Sequence, residues 1–126
     1  MKSDLGLLIL RLGAGLMLAF GHGLGKVSRV VDGNFQFADP IGIGAAASLV
    51  LAAFAEFFCA LAVVVGFKTR WAAVPPAIAM LVAAFVHHAA DPWGKKEFPL
   101  LYAAIFVALI LTGAGRYALD ARRRRR

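Results

Sequence analysis

Cysteine is almost absent from this chain, with Cys59 the only one among 126 residues. A single thiol can form neither an intramolecular disulfide nor a Cys-x-x-Cys shuttle, which excludes the thiol-oxidising membrane enzymes that work through cysteine pairs. Charge is scarce too. Charged residues make up 17% of the chain, below the roughly 25% of a soluble domain. Hydrophobic residues reach 61% and the mean hydropathy is +0.77, which excludes an ordinary soluble fold.

What the chain has instead is four long apolar runs, at 5–24, 41–67, 71–90 and 98–115. About 20 residues of helix cross the roughly 30 Å hydrocarbon core of a bilayer, and helices or closed barrels alone satisfy their backbones there. The four runs leave too little chain for a separate soluble domain. The pattern predicts an all-α integral membrane four-helix bundle, a single domain over 1–126 with a basic tail at 116–126. Lys2 followed by an apolar run superficially resembles a signal peptide, but Arg11 interrupts the run and no small-x-small cleavage site follows, so it is read as a helix.

The formal charge of +7 is distributed as a topology signal. Lys2, Lys68, Arg70, Arg116 and the arginines at 122–126 fall at one set of helix ends. At the other set, Lys26, Arg29, Lys95 and Lys96 are balanced by Asp32, Asp39, Asp91 and Glu97. The positive-inside rule then predicts that both termini are cytoplasmic, with Trp71 and Tyr117 at the inner interface and Trp93 at the outer one. The arginine tail is read as an orientation signal ahead of an anionic-lipid clamp, and no nucleic-acid partner is expected.

An ionisable group in hydrocarbon costs several kcal/mol unless it is paired or wet, so the few inside the predicted spans define the candidate site. Arg11, Gly15, Leu18, His22 and Lys26 follow three- and four-residue spacing along one face of the first helix. Gly15, Ala19 and Gly23 run beside them as a small-residue stripe suited to close helix packing, either within the bundle or against a second copy. In the second helix Ser48, Ala52, Glu56 and Ala60 share a face, which directs Glu56 into the bundle. His87 and His88 end the third run about 100° apart, and alignment with Ala79 and Ala83 favours His87 as the inward one. In the fourth run Leu101, Ala104, Ala108 and Thr112 share a side, with Tyr102 one step round. At about 1.5 Å per residue, Arg11 lies about 9 Å above the inner boundary, Glu56 about 16 Å, and His22 and His87 about 25 Å. Side chains lean toward helix N-termini, so His22, Glu56 and His87 converge while Arg11 leans away.

Other motifs fail on inspection. The glycine-rich stretch at 21–27 lacks the first glycine, the Ser/Thr and the preceding strand of a phosphate loop, and no dinucleotide fingerprint is complete. These glycines are read as close-packing positions and as the exit of the first helix. No helix carries Glu-x-x-His or His-x-x-x-His, so no metal site is predicted. The connection from 27 to 40 either lies flat on the membrane or folds over the pocket.

In these features the chain resembles the DoxX family of small four-helix membrane proteins. The carriers are Arg11 with Gly15, Gly21-His22-Gly23 through Lys26, and Glu56 followed by the stretch from Gly66 to Ala73. His87, Glu97, Gly113-Ala114-Gly115 and Leu119-Asp120 complete the set. Where relatives often have glycines after the helix-two Glu, this chain has Cys59 and Ala60. The resemblance implies a bacterial inner-membrane protein tied to redox metabolism, since some relatives belong to thiosulfate:quinone oxidoreductase and others to oxidative-stress complexes.

The leading expectation is therefore a quinone-linked redox or accessory subunit with membrane lipids, other redox subunits and a second copy as partners. Glu56 would exchange protons, His22 and His87 would donate hydrogen bonds to quinone oxygens, Tyr102 would join them, and Arg11 would steady the inner side electrostatically. The competing expectations are a scaffold that holds soluble redox partners through its basic ends, and a small-molecule or ion transporter, which four uninterrupted helices without a repeat disfavour.

Overall fold

The computed structural model describes residues 2–124, and among them it is all-helical. Four long helices run in alternating directions: α1 (Lys2–Val31), α2 (Ala45–Val65), α3 (Thr69–His87) and α4 (Trp93–Thr112), followed by a short α5 (Leu119–Arg124). Of these, α1, α2 and α3 are each long and apolar enough to cross a membrane. Helix α4 has 20 residues, but Lys95, Lys96 and Glu97 occupy its first turns. The tail beyond 122 lies outside the residues whose side chains are described.

The interior is built largely of alanine. Ala14, Ala19, Ala53, Ala60, Ala77, Ala84 and Ala103 are buried between helices, with Leu18, Leu49, Val63, Phe106 and Leu109 filling the wider gaps. Between lipid-facing helices there is little hydrophobic driving force, so small residues that admit close backbone approach take over the packing. Large apolar side chains such as Met17, Phe58, Trp71 and Leu111 point outward. On α4 the buried row is Ala103, Phe106 and Leu109, one step round from the row expected from spacing; Leu101, Ala104 and Thr112 are exposed.

Several ends differ from the apolar runs for identifiable reasons. Helix α1 does not exit at its glycines but continues to Val31. Helix α2 begins at Ala45 rather than 41, because Gly42 and Gly44 adopt positive φ and Asp39 takes the helix-start amides of Ile43 and Gly44. Helix α3 starts in the loop side of Trp71, and a single turn residue, Ala73, interrupts it where Pro75 and Pro76 lack amide donors. Helix α4 starts early, at Trp93, directly after Pro92.

The end of the molecule that carries the termini is sealed by hydrogen bonds. The Asp120 carboxylate accepts the amides of Lys68 (2.7 Å) and Thr69 (2.9 Å) at the start of α3, which holds Lys68 in the left-handed region at φ 46°. Arg11, 1% exposed, donates from Nε to Val63 O (3.1 Å), from Nη1 to Ala114 O (2.7 Å), and from Nη2 to Val64 O (3.0 Å) and Tyr117 O (2.9 Å). One guanidinium thus serves carbonyls at the end of α2 and in the turn after α4, adding to the Gly66 amide already on Val63 O (3.1 Å).

Candidate functional site

Three of the long helices contain a widened, π-helical turn: Ala19–Gly23 in α1, Phe54–Cys59 in α2 and Ala83–His87 in α3. Such turns cluster at functional positions, and the extra residue rotates the following face by about 100°. Each holds an imidazole or carboxyl side chain, His22, Glu56 and His87 respectively, and the turn in α2 also ends on Cys59.

Glu56 is the most enclosed of the three, with its side chain only 5% exposed. Its partner is Lys26, whose Nζ lies 2.8 Å from Glu56 Oε1 and whose side chain is 20% exposed. This contact depends on α1 remaining helical past Gly23, and on Gly23 itself, because its bare Cα lets α1 rest on the Glu56 backbone. Arg11 is not a partner of Glu56. It sits at the terminal end, fully engaged with the four carbonyls, and does not line the cleft described next.

His22, Lys26, Glu56, His87, His88, Lys95 and Tyr102 all border one cleft of about 690 Å³. The His22 and Tyr102 rings meet edge-on at 5.9 Å and 81°, which ties α1 to α4. His87 and His88 both reach the cleft, with ring centroids 4.5 Å apart. His88 Nδ1 also lies 2.7 Å from Asp91 Oδ2, and that hydrogen bond is the main reason the Asp91 carboxyl titrates below its usual range. Most of the remaining wall is apolar, with Leu51 and Phe54 from α2 and Ile78 and Val82 from α3.

The connection between α1 and α2 folds over this cleft rather than lying away from it, since Phe37, Ala38, Pro40 and Ile43 contribute to its lining. Arg29 stands 5.8 Å from the Phe37 ring centroid, a cation–π contact. Asp39 accepts Gly44 N (2.8 Å), Ile43 N (2.9 Å) and Ser48 Oγ (3.0 Å). The Gly44 amide is the largest cause of its lowered carboxyl pKa.

Sequence reasoning assigned no site role to Lys26. The available signal was its four-residue spacing from His22 on the polar face of the first helix. The glycines that suggested a helix exit concealed it. Among the described residues, no group of three or more His, Cys, Asp or Glu is placed to hold a metal.

Membrane-length helices around a cleft with an ionic end define a multi-pass membrane protein. The DoxX family profile matches residues 6–89, from α1 through the end of α3, and the chain belongs to that family. No curated protein matches it, and no solved structure does either.

Proposed function

We propose that this DoxX-family chain is a four-helix membrane bundle of the bacterial inner membrane, with both termini cytoplasmic, acting as a quinone-linked redox or accessory subunit. The excess of Lys and Arg at the terminal end supports the orientation. For the fourth helix, the apolar stretch after Glu97 and the burial of Ala103, Phe106 and Leu109 support membership of the bundle.

The observation that carries the quinone reading is the cleft itself. Three helices widen locally to place His22, Glu56 and His87 on the rim of a mostly apolar groove, with the Lys26–Glu56 pair at its polar end. A quinone has an apolar tail and two acceptor oxygens, and the residues present fit that division. Bound there, it supplies two-electron chemistry coupled to protons.

The part of the chain is binding and proton handling. Imidazole N–H groups of His22 and His87, the Tyr102 hydroxyl and Lys26 Nζ are the donors that carbonyl oxygens accept. Glu56 Oε1 anchors the Lys26 ammonium and offers a carboxylate that can take up a proton beside the cleft. Arg11 acts on this site through the fold alone, by holding the end of α2 in place.

Purification in a mild detergent followed by organic extraction tests the reading. Equimolar quinone in the native protein, lost in His22→Ala and Tyr102→Ala variants that keep their helicity, is the expected result. Folded protein that carries no quinone and co-purifies with soluble redox proteins would replace it with the scaffold reading.

A further inference from the structure

The cleft carries more positive charge than a neutral quinone head requires. Two lysines, Lys26 and Lys95, border it against one carboxylate, Glu56. Glu56 is already engaged by Lys26. The Lys95 ammonium has Asp91 as a charged neighbour but donates no hydrogen bond among the described residues, its backbone amide alone being engaged, with Pro92 O (3.0 Å). Around these cations stand three imidazoles and a phenol. An ammonium has three N–H donors, and Glu56 occupies one of those on Lys26. The polar end is therefore rich in donors and poor in acceptors, and its unspent formal charge is positive.

The apolar part is long. Along α3 its lining extends from Pro75 to His87, twelve residue steps or about 18 Å of helix. That is comparable with the half-thickness of a hydrocarbon core, about 15 Å. Its walls on the α2 side are Leu51 and Phe54, both half exposed, so the groove is open along its length. A volume of about 690 Å³ is that of a site for one ligand of moderate size, within the roughly 300–1,000 Å³ typical of such clefts.

We infer that this cleft also binds single-chain amphiphiles with an anionic carboxylate head, that is long-chain fatty acids, with the carboxylate at Lys26 and Lys95 and the chain along the α2–α3 groove. Fatty acid and quinone would compete for the same apolar groove. The inference itself rests on charge and shape and stands whether or not quinone is the redox ligand.

The test uses the full chain in phosphatidylcholine nanodiscs with a fluorescent polyene fatty acid as probe. Oleate, oleyl alcohol and oleylamine share a tail and differ in the head, so they are compared as displacers at equal mole fraction in the bilayer. Oleate is expected to displace the probe at about one tenth of the concentration needed for the alcohol, the ratio that one charge-assisted hydrogen bond supplies. The amine is expected to be weakest. Lys95→Met should shrink the preference for oleate, and the charge-neutral double variant Lys26→Met/Glu56→Gln, checked for native helicity, should shrink it further. Equal displacement by the three heads would overturn the inference. So would a preference that survives both variants, failure of the probe to bind, or displacement by phosphatidylglycerol as effective as by oleate. None of these readouts involves quinone, so failure here is distinct from failure of the quinone reading.

Discussion

A Cβ added to Gly23 would stand 2.5 Å from the carbonyl carbon and oxygen of Glu56. The backbones of α1 and α2 therefore touch at the level of the site, and Lys26, less than one turn further along α1, is carried to the Glu56 carboxylate. A glycine that packs two helices also assembles an ion pair.

Gly23→Ala should disrupt both. The obstructing atoms are backbone and cannot rotate aside, so the helices must part, and overpacking of this kind costs about 1–3 kcal/mol. Thermal unfolding in detergent, followed by circular dichroism, should show a lower midpoint. Gly13→Ala and Gly21→Ala, where nothing lies within 4 Å of the added atom, should leave it unchanged or slightly raised.

The Lys26–Glu56 pair should behave as a coupled unit. Lys26→Met leaves a carboxylate that is 5% exposed without its cation, and Glu56→Gln leaves the ammonium without its anion, so each single change should destabilise the fold. The double variant removes both charges and should recover part of the loss. A double-mutant cycle on unfolding free energies is expected to give a coupling of about 1–3 kcal/mol. Additive single effects would show that the pair contributes nothing.

Arg11→Met should be more damaging than either. It leaves the carbonyls of Val64, Ala114 and Tyr117 without the guanidinium donor and Val63 O with the Gly66 amide alone, and an unsatisfied buried polar group costs about 1–3 kcal/mol. A total loss above about 3 kcal/mol is expected, measured by thermal or denaturant unfolding. Arg11→Lys keeps the charge but loses the planar fork, so it should fall between the native chain and Arg11→Met.

Asp39 gives the loop over the cleft a dependence on pH. Its carboxyl titrates below the ordinary value of 3.8, chiefly because it accepts the Gly44 amide. A depressed folded-state pKa means that the stabilisation is complete above that value and is lost as pH falls through the lower folded pKa. The protection factors of the Ile43 and Gly44 amides should therefore hold near neutrality and drop only below about pH 4. Asp39→Asn should exchange faster at all pH values and lose the acid transition.

Helical content was legible in the sequence because apolar length alone separates membrane spans from loops. Helix ends were less so. The glycines at 21, 23 and 25 read locally as a helix exit, yet α1 continues to Val31 because contact with α2 outweighs their low propensity. Mispredicting that end hid Lys26 from the site. The π-helical turns were not legible either, since a change of hydrogen-bond register leaves no mark in a hydrophobic pattern, and His88 reaches the cleft beside His87 where the chain leaves the helix, at φ −102° and ψ 22°. The rule that hydrocarbon cannot solvate a charge pointed to His22, Glu56 and His87, and the structure sets them around one cleft. The same rule could not distinguish a ligand-facing cation from Arg11, whose partners are backbone carbonyls that no side-chain pattern announces.

Photolabelling with an azido-quinone, mapped by mass spectrometry of the native protein in nanodiscs, tests the central claim most directly. Quinone binding in the cleft predicts adducts confined to peptides that hold residues 22–26, 83–88 and 98–102, suppressed by excess unlabelled quinone. Adducts spread over lipid-facing residues such as Ile9, Met17 and Leu111, and insensitive to competitor, would contradict it.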